Sequence, residues 1–113
     1  MLIRRGDILL VNFAPAREHE ANYTHPAVVV TNNVANAHAH VITVVPITSN
    51  ITQVYPHDLF LPVNRSGLNK DSKAQVSLIR AVDSSRVIRR LSYLPDDLML
   101  ELSERLKEHL ALG

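Results

Sequence analysis

The chain contains no cysteine and no tryptophan. Without cysteine there are no disulfides and no thiolate metal sites, so burial of apolar surface must hold the fold, as suits a reducing cytosol. Glycine is scarce, three in 113 residues. None lies in the polar stretch Ala14–His25, which therefore cannot form a glycine-rich phosphate cradle. Aromatic residues are 4% of the chain, only Phe13, Tyr23, Tyr55, Phe60 and Tyr93, so base stacking on this protein must be sparse. No run approaches the ~20 apolar residues that span a bilayer. Ile8–Phe13 is too short for a secretion signal and is interrupted by Asn12. A soluble, cytoplasmic protein with no membrane role is expected. Surplus charge is also missing: 12 Lys and Arg against 11 Asp and Glu leave +1 at pH 7, so bulk electrostatics do not announce a polyanion binder.

What is present fits one domain, residues 1–113, able to bury roughly 65% of its unfolded surface. Asp7–Phe13 reads as a mostly buried strand ended by Pro15. Ala14–His25 is a long polar connection, and loops well beyond the usual ~4–6 residues tend to be functional or disordered. Ala27–Thr31 and His40–Ile47, rich in Val, Ile and Thr, are the strongest strands; residues 32–39 form their connection, and Pro46 places the second at an edge or at its end. Asp58–Val63 is a further strand, Ser66–Asn69 a turn, Ser72–Val82 one continuous strand, and Val87–Leu91 a short one. Pro95-Asp96-Asp97 starts a helix with acids at its positive end, and Leu98, Leu102, Leu106 and Leu110 form its apolar stripe. Many short strands and one terminal helix predict a mainly β (α+β) fold, a small barrel or curled sheet capped by that helix.

Three chemistries can be weighed on these residues. Six histidines raise a metal site, but zinc needs three or four converging ligands, and His19, His25, His57 and His109 lack ligand spacing; exposed loop histidines are the simpler reading. Serine hydrolysis lacks a GxSxG elbow. Metal-free RNA cleavage needs a base, an acid and a few donors on rigid elements. Glu20 and His25 supply a carboxylate and an imidazole on the long loop beside a strand, and pairing of two strands would bring Thr48 near them. Imidazole is the side chain suited to proton transfer near neutral pH. Arg80, Arg86, Arg89 and Arg90 cluster in one short stretch, which suits a phosphate-facing surface or plain solvation.

The segments "RGDILLVNFAP" (Arg5–Pro15), Glu20, "HPAVVVTNN" (His25–Asn33), "VVPITSN" (Val44–Asn50) and "DSKAQVSLIRAVDSSRV" (Asp71–Val87), in this order across nearly the whole chain, resemble the MazF/PemK family of toxin ribonucleases. The resemblance implies an SH3-like barrel with helices and a homodimer. It also implies metal- and cofactor-free cleavage of single-stranded RNA, often mRNA, to 2′,3′-cyclic phosphate and 5′-hydroxyl ends, and a cognate antitoxin that blocks the RNA groove. It makes Thr48 the hydroxyl near the scissile phosphate and Glu20 the family glutamate of the first long loop. Where the family has arginine ahead of the strand proline, this chain has His25: a donor–acceptor imidazole replaces a five-donor cation. His25, Glu20 and Thr48 are thus the expected catalytic residues, and Asn22, Tyr23, Asn32, Ser49 and Arg80 the expected RNA contacts, with Tyr23 as stacking platform. Two other classes remain compatible with the chain: an RNA- or antitoxin-binding module weakened by loss of the arginine, and a CcdB-like topoisomerase poison.

Overall fold

The computed structural model describes residues 1–15 and 23–113. Their elements run β1 (Asp7–Asn12), β2 (Thr24–Val29), α1 (Asn33–His38), β3 (Val41–Thr48), β4 (Leu59–Leu61), α2 (Val63–Ser66), β5 (Ser72–Ala74), β6 (Arg80–Asp83), β7 (Val87–Tyr93) and α3 (Asp96–Leu110). The strands form one antiparallel sheet in the order β4-β5-β3-β2-β1-β7, with β6 also paired to β3. The mainly β class with a C-terminal helix is as expected. Closure into a barrel is not: among the described residues, β4 and β7 end the sheet without pairing to each other. No helix among the described residues is long and apolar enough to cross a membrane.

The apolar strands are continuous runs because both sheet faces are buried. Alternation sends Ile8, Val28, Val45 and Ile47 into one core, where they meet Leu98, Met99, Leu102 and Leu106 of α3. The alternate residues Leu9, Val11, Ala27, Val29, Ile42 and Val44 form a second core with Ile3 and Val82. Leu110, expected in the helix stripe, is instead exposed, at the margin of a groove it shares with Val30 and Thr43.

Four local expectations need correction. Residues 32–39 are not a bare loop: Asn32 caps α1, its side chain accepting from the Ala35 amide at 2.9 Å, the ordinary use of asparagine at a helix start. His25 and Pro26 lie within β2, opposite Val11 and Leu10, not ahead of it. Pro46 is inside the central strand, where its missing N–H is tolerated because β3 changes partner there, from β6 at Val41–Val44 to β5 at Ile47–Thr48. Ser72–Val82 is likewise two strands split by a 3-10 turn at Val76–Leu78. Val44 pairs with Arg80 and Ile47 with Ala74, so the partner chain carries three extra residues over that step, and the turn absorbs them.

Candidate active site

The β2–β3 register aligns Ala27 with Pro46 and Val29 with Val44. Extending it to the end of the sheet sets His25 opposite Thr48, and these two side chains stand together at the rim where two clefts meet. Two rigid strands thus bring together an imidazole and a hydroxyl that are far apart in sequence. His25 is exposed, and Thr48 is half-buried. The Thr48 Oγ1 accepts from the Asn50 amide at 3.1 Å. Among the described residues its O–H has no acceptor, so it is free to donate into the cleft.

The first cleft, ≈ 500 Å³, is lined by Phe13, Tyr23, Gln75, Leu78 and Arg80 beside His25 and Thr48. Its side chains are layered. The Arg80 Cζ lies 5.0 Å from the Phe13 ring centroid, and that ring lies 6.4 Å from the His25 ring at a tilt of 36°. A guanidinium over a ring face is held by the ring quadrupole, and among the described residues Arg80 has no carboxylate partner. The Phe13 amide donates to the Tyr23 carbonyl at 2.9 Å, which clasps the base of the long connection. Arg86 braces the same point by donating to the carbonyls of Asn12 and Ala14.

The second cleft, ≈ 430 Å³, shares His25, Ile47 and Thr48 and is lined further by Ser49, Asn69, Lys70 and Arg89. Gly67 shapes the turn that presents Asn69 and Lys70: its φ is +72°, and a Cβ there would stand 2.7 Å from the Ser92 Cβ. Below this turn, β5 carries Lys73, paired with Thr48 in the β3–β5 register. The Lys73 ammonium is buried and lies 3.4 Å from the buried Asp58 carboxylate; it also donates to the Gln53 carbonyl. Asp58 in turn accepts from the Tyr55 amide at 2.9 Å. This pair ties the segment after Thr48 to the sheet.

Of the expected site residues, His25, Thr48, Tyr23, Ser49 and Arg80 line the two clefts. Asn32 does not: it caps α1 and lines a separate groove beside the end of α3. Glu20 and Asn22 lie outside the described residues. Phe13, Gln75, Lys70 and Arg89 were not singled out as site residues. Only Arg89 had a signal, as part of the arginine cluster, and the structure divides that cluster: Arg80 and Arg89 face the clefts, while Arg86 and Arg90 are taken up by Asn12, Ala14, Leu2 and Asp7. Among the described residues, two carboxyls titrate below their ordinary range, both away from the clefts. Hydrogen bonds from Ser85 lower Asp83, and the Arg65 guanidinium lowers Asp97. Among the described residues, no three His, Asp or Glu side chains converge as metal ligands.

Comparison with known proteins adds four findings. The family of PemK-like, MazF-like toxins of type II toxin–antitoxin systems matches residues 4–110. Endoribonuclease MazF9 of Mycobacterium tuberculosis is 45% identical over 116 residues, with 98% of each chain covered. Among solved structures, MazF of Deinococcus radiodurans superposes with a TM-score of 0.81 at 24% identity over 99% of both chains. A mycobacterial endoribonuclease in complex with its cognate antitoxin superposes with a TM-score of 0.78 at 16% identity, over 99% of this chain and 96% of that one. These last two likenesses concern the fold alone.

Proposed function

Since the chain belongs to the family of PemK-like, MazF-like toxins of type II toxin–antitoxin systems, we propose that it is an endoribonuclease whose cleavage centre is the His25–Thr48 pair. The observation that carries this reading is the juxtaposition of that pair at the rim between two clefts, with Arg80 lining one of them. The substrate is single-stranded RNA, and the partners are a cognate antitoxin and a second copy of the chain. A cytoplasmic location goes with an mRNA substrate and is part of this proposal.

The chemistry is a transesterification. The 2′-hydroxyl loses its proton and its oxygen attacks the adjacent phosphorus. The bond from phosphorus to the 5′-oxygen breaks, and that oxygen takes a proton, leaving a 2′,3′-cyclic phosphate and a 5′-hydroxyl. His25, with one donor and one acceptor nitrogen, is the proton-transfer group. Glu20 is its carboxylate partner or the second acid–base group. Thr48 donates its free O–H to a non-bridging phosphate oxygen, and Arg80 offsets the charge that accumulates there.

A long single-stranded RNA incubated with the protein in EDTA tests this. Cleavage with cyclic-phosphate ends is expected, and His25→Ala should lower kcat by about 10²–10⁴-fold, the span of general acid–base catalysis. Because His25 is exposed, that variant should fold normally. Intact RNA at high protein concentration, or undiminished cleavage by His25→Ala, refutes the assignment. His25→Arg reads out the difference from the family arginine: a large gain in activity would mean that the imidazole is a weakened phosphate clamp.

A further inference from the structure

The cations of this protein divide into two groups. Arg65 is bound to Asp97, Arg90 to Asp7, Lys73 to Asp58, and Lys107 to Glu104. Arg5, Arg86 and Arg105 are hydrogen-bonded to backbone carbonyls. Among the described residues, four have no carboxylate or carbonyl partner for their side chains: Arg4, Lys70, Arg80 and Arg89. Three of the four line the clefts that meet at His25 and Thr48. Arg4 lines neither.

The clefts also lie on opposite faces of the sheet. Phe13, in the first, packs against the core formed with Val82. Leu68 and Leu91, in the second, pack against the core under α3. His25 and Thr48 occupy the sheet end between the two faces. An unpaired cation on a rigid element stays hydrated until a phosphate arrives, and its counterions are then released. Lys70 and Arg89 are held this way. Asp71, the acid nearest Lys70 in sequence, is turned to α2, where it accepts from the Val63 amide at 2.8 Å. Arg89 is fixed on β7 opposite Leu10, whose side chain lines the same cleft.

We propose that the RNA strand crosses the rim of the sheet, held on one side of the cleavage centre by its phosphates on Lys70 and Arg89, and on the other by stacking on Tyr23 with Arg80 beside it. Asn69 and Ser49, neutral donors in the phosphate cleft, are placed to contact the sugar or base there. The proposal rests on the endoribonuclease reading above and assigns two phosphate-contacting residues to it.

The test compares wild type with Lys70→Gln, Arg89→Gln and, as control, Arg4→Gln on a fluorescent single-stranded RNA over a range of salt. All three side chains are exposed, so the fold should be unaffected. Lys70→Gln and Arg89→Gln should each raise KM while kcat changes less than about twofold, the mark of uniform binding. Each should flatten the slope of log(kcat/KM) against log[salt] by about 0.7, one single-strand phosphate contact. Arg4→Gln should match wild type. If Lys70→Gln and Arg89→Gln behave like Arg4→Gln while wild type cleaves, the track is wrong and the enzyme assignment stands. If wild type fails to cleave, the enzyme assignment fails by itself, and anisotropy with the uncut RNA decides the track: weaker binding by the two variants supports it, and equal binding overturns it.

Discussion

The two faces of the sheet use alternate residues of the same strands, yet they end in clefts of opposite chemistry. On the face closed by β6, the cleft is aromatic and layered, Arg80 on Phe13 and Phe13 near His25. On the face covered by α3, the cleft is rimmed by Lys70 and Arg89, and among the described residues it holds no ring besides the shared His25 imidazole and Pro26. The covering element makes the difference. α3 seals the centre of its face with leucines, leaving the margin to the polar turn after α2. On the opposite face Phe13 packs against the second core, and Tyr23 lines the cleft beside it. A flexible polyanion with bases needs both kinds of surface, and under the proposed function a two-faced sheet provides them on either side of the His25–Thr48 rim.

The largest effect is expected beneath the cationic cleft. Lys73→Met removes the ammonium from the buried Asp58 carboxylate, leaving it only the Tyr55 amide and the more distant His57 ring, and should cost up to about 3–5 kcal/mol in urea unfolding; adding Asp58→Asn should restore part of it. If Lys73→Met is neutral, this region is not organised by the ion pair. Next is Gly67→Ala, which places a Cβ against Ser92 at a left-handed φ and should cost about 1–3 kcal/mol in thermal unfolding. Its RNA defect should resemble that of Lys70→Gln, since both act on one turn. On the aromatic side, Tyr23→Ala should weaken RNA binding by about 1–3 kcal/mol, one lost base stack, with the salt slope unchanged; a changed slope would erase the contrast between the clefts.

The smallest effect concerns Arg65, a cation already occupied. The guanidinium holds the Asp97 carboxyl below its ordinary value of 3.8. A lowered folded value means that the contribution is present above the unfolded pKa and is lost as pH falls through the folded one. Asp97→Asn should therefore flatten the acid limb of stability below about pH 4 and leave neutral stability nearly unchanged, as befits an exposed pair. An unaltered acid limb would show that this contact does not persist in solution.

Much of this was legible in the residues. The β1, β2 and β3 regions announced themselves by Val and Ile content, α3 by its leucine stripe and acidic first turn, and His25 and Thr48 by their chemistry and the family resemblance. The misses have local causes. Residues 32–39 read as a connection, with Asn32 as an RNA contact, whereas the Asn32 side chain caps α1. The single strand from Ser72 to Val82 broke because two strand segments share one side of β3 in different registers, and period-two alternation carries no trace of such a shift.

The sequence alone marked the apolar centres of β1, β2 and β3, where the terminal helix starts, and that an imidazole stands where the family has arginine, because these depend on neighbours within a few residues. Tertiary structure decided that His25 and Thr48 line the same two clefts, that the sheet has two buried faces, and which arginines lack a partner among the described residues. A register is set by pairing between distant strands. A guanidinium is free or occupied according to partners such as Asp7 for Arg90 or Ala14 for Arg86, more than seventy residues away, and no local pattern in the chain records them.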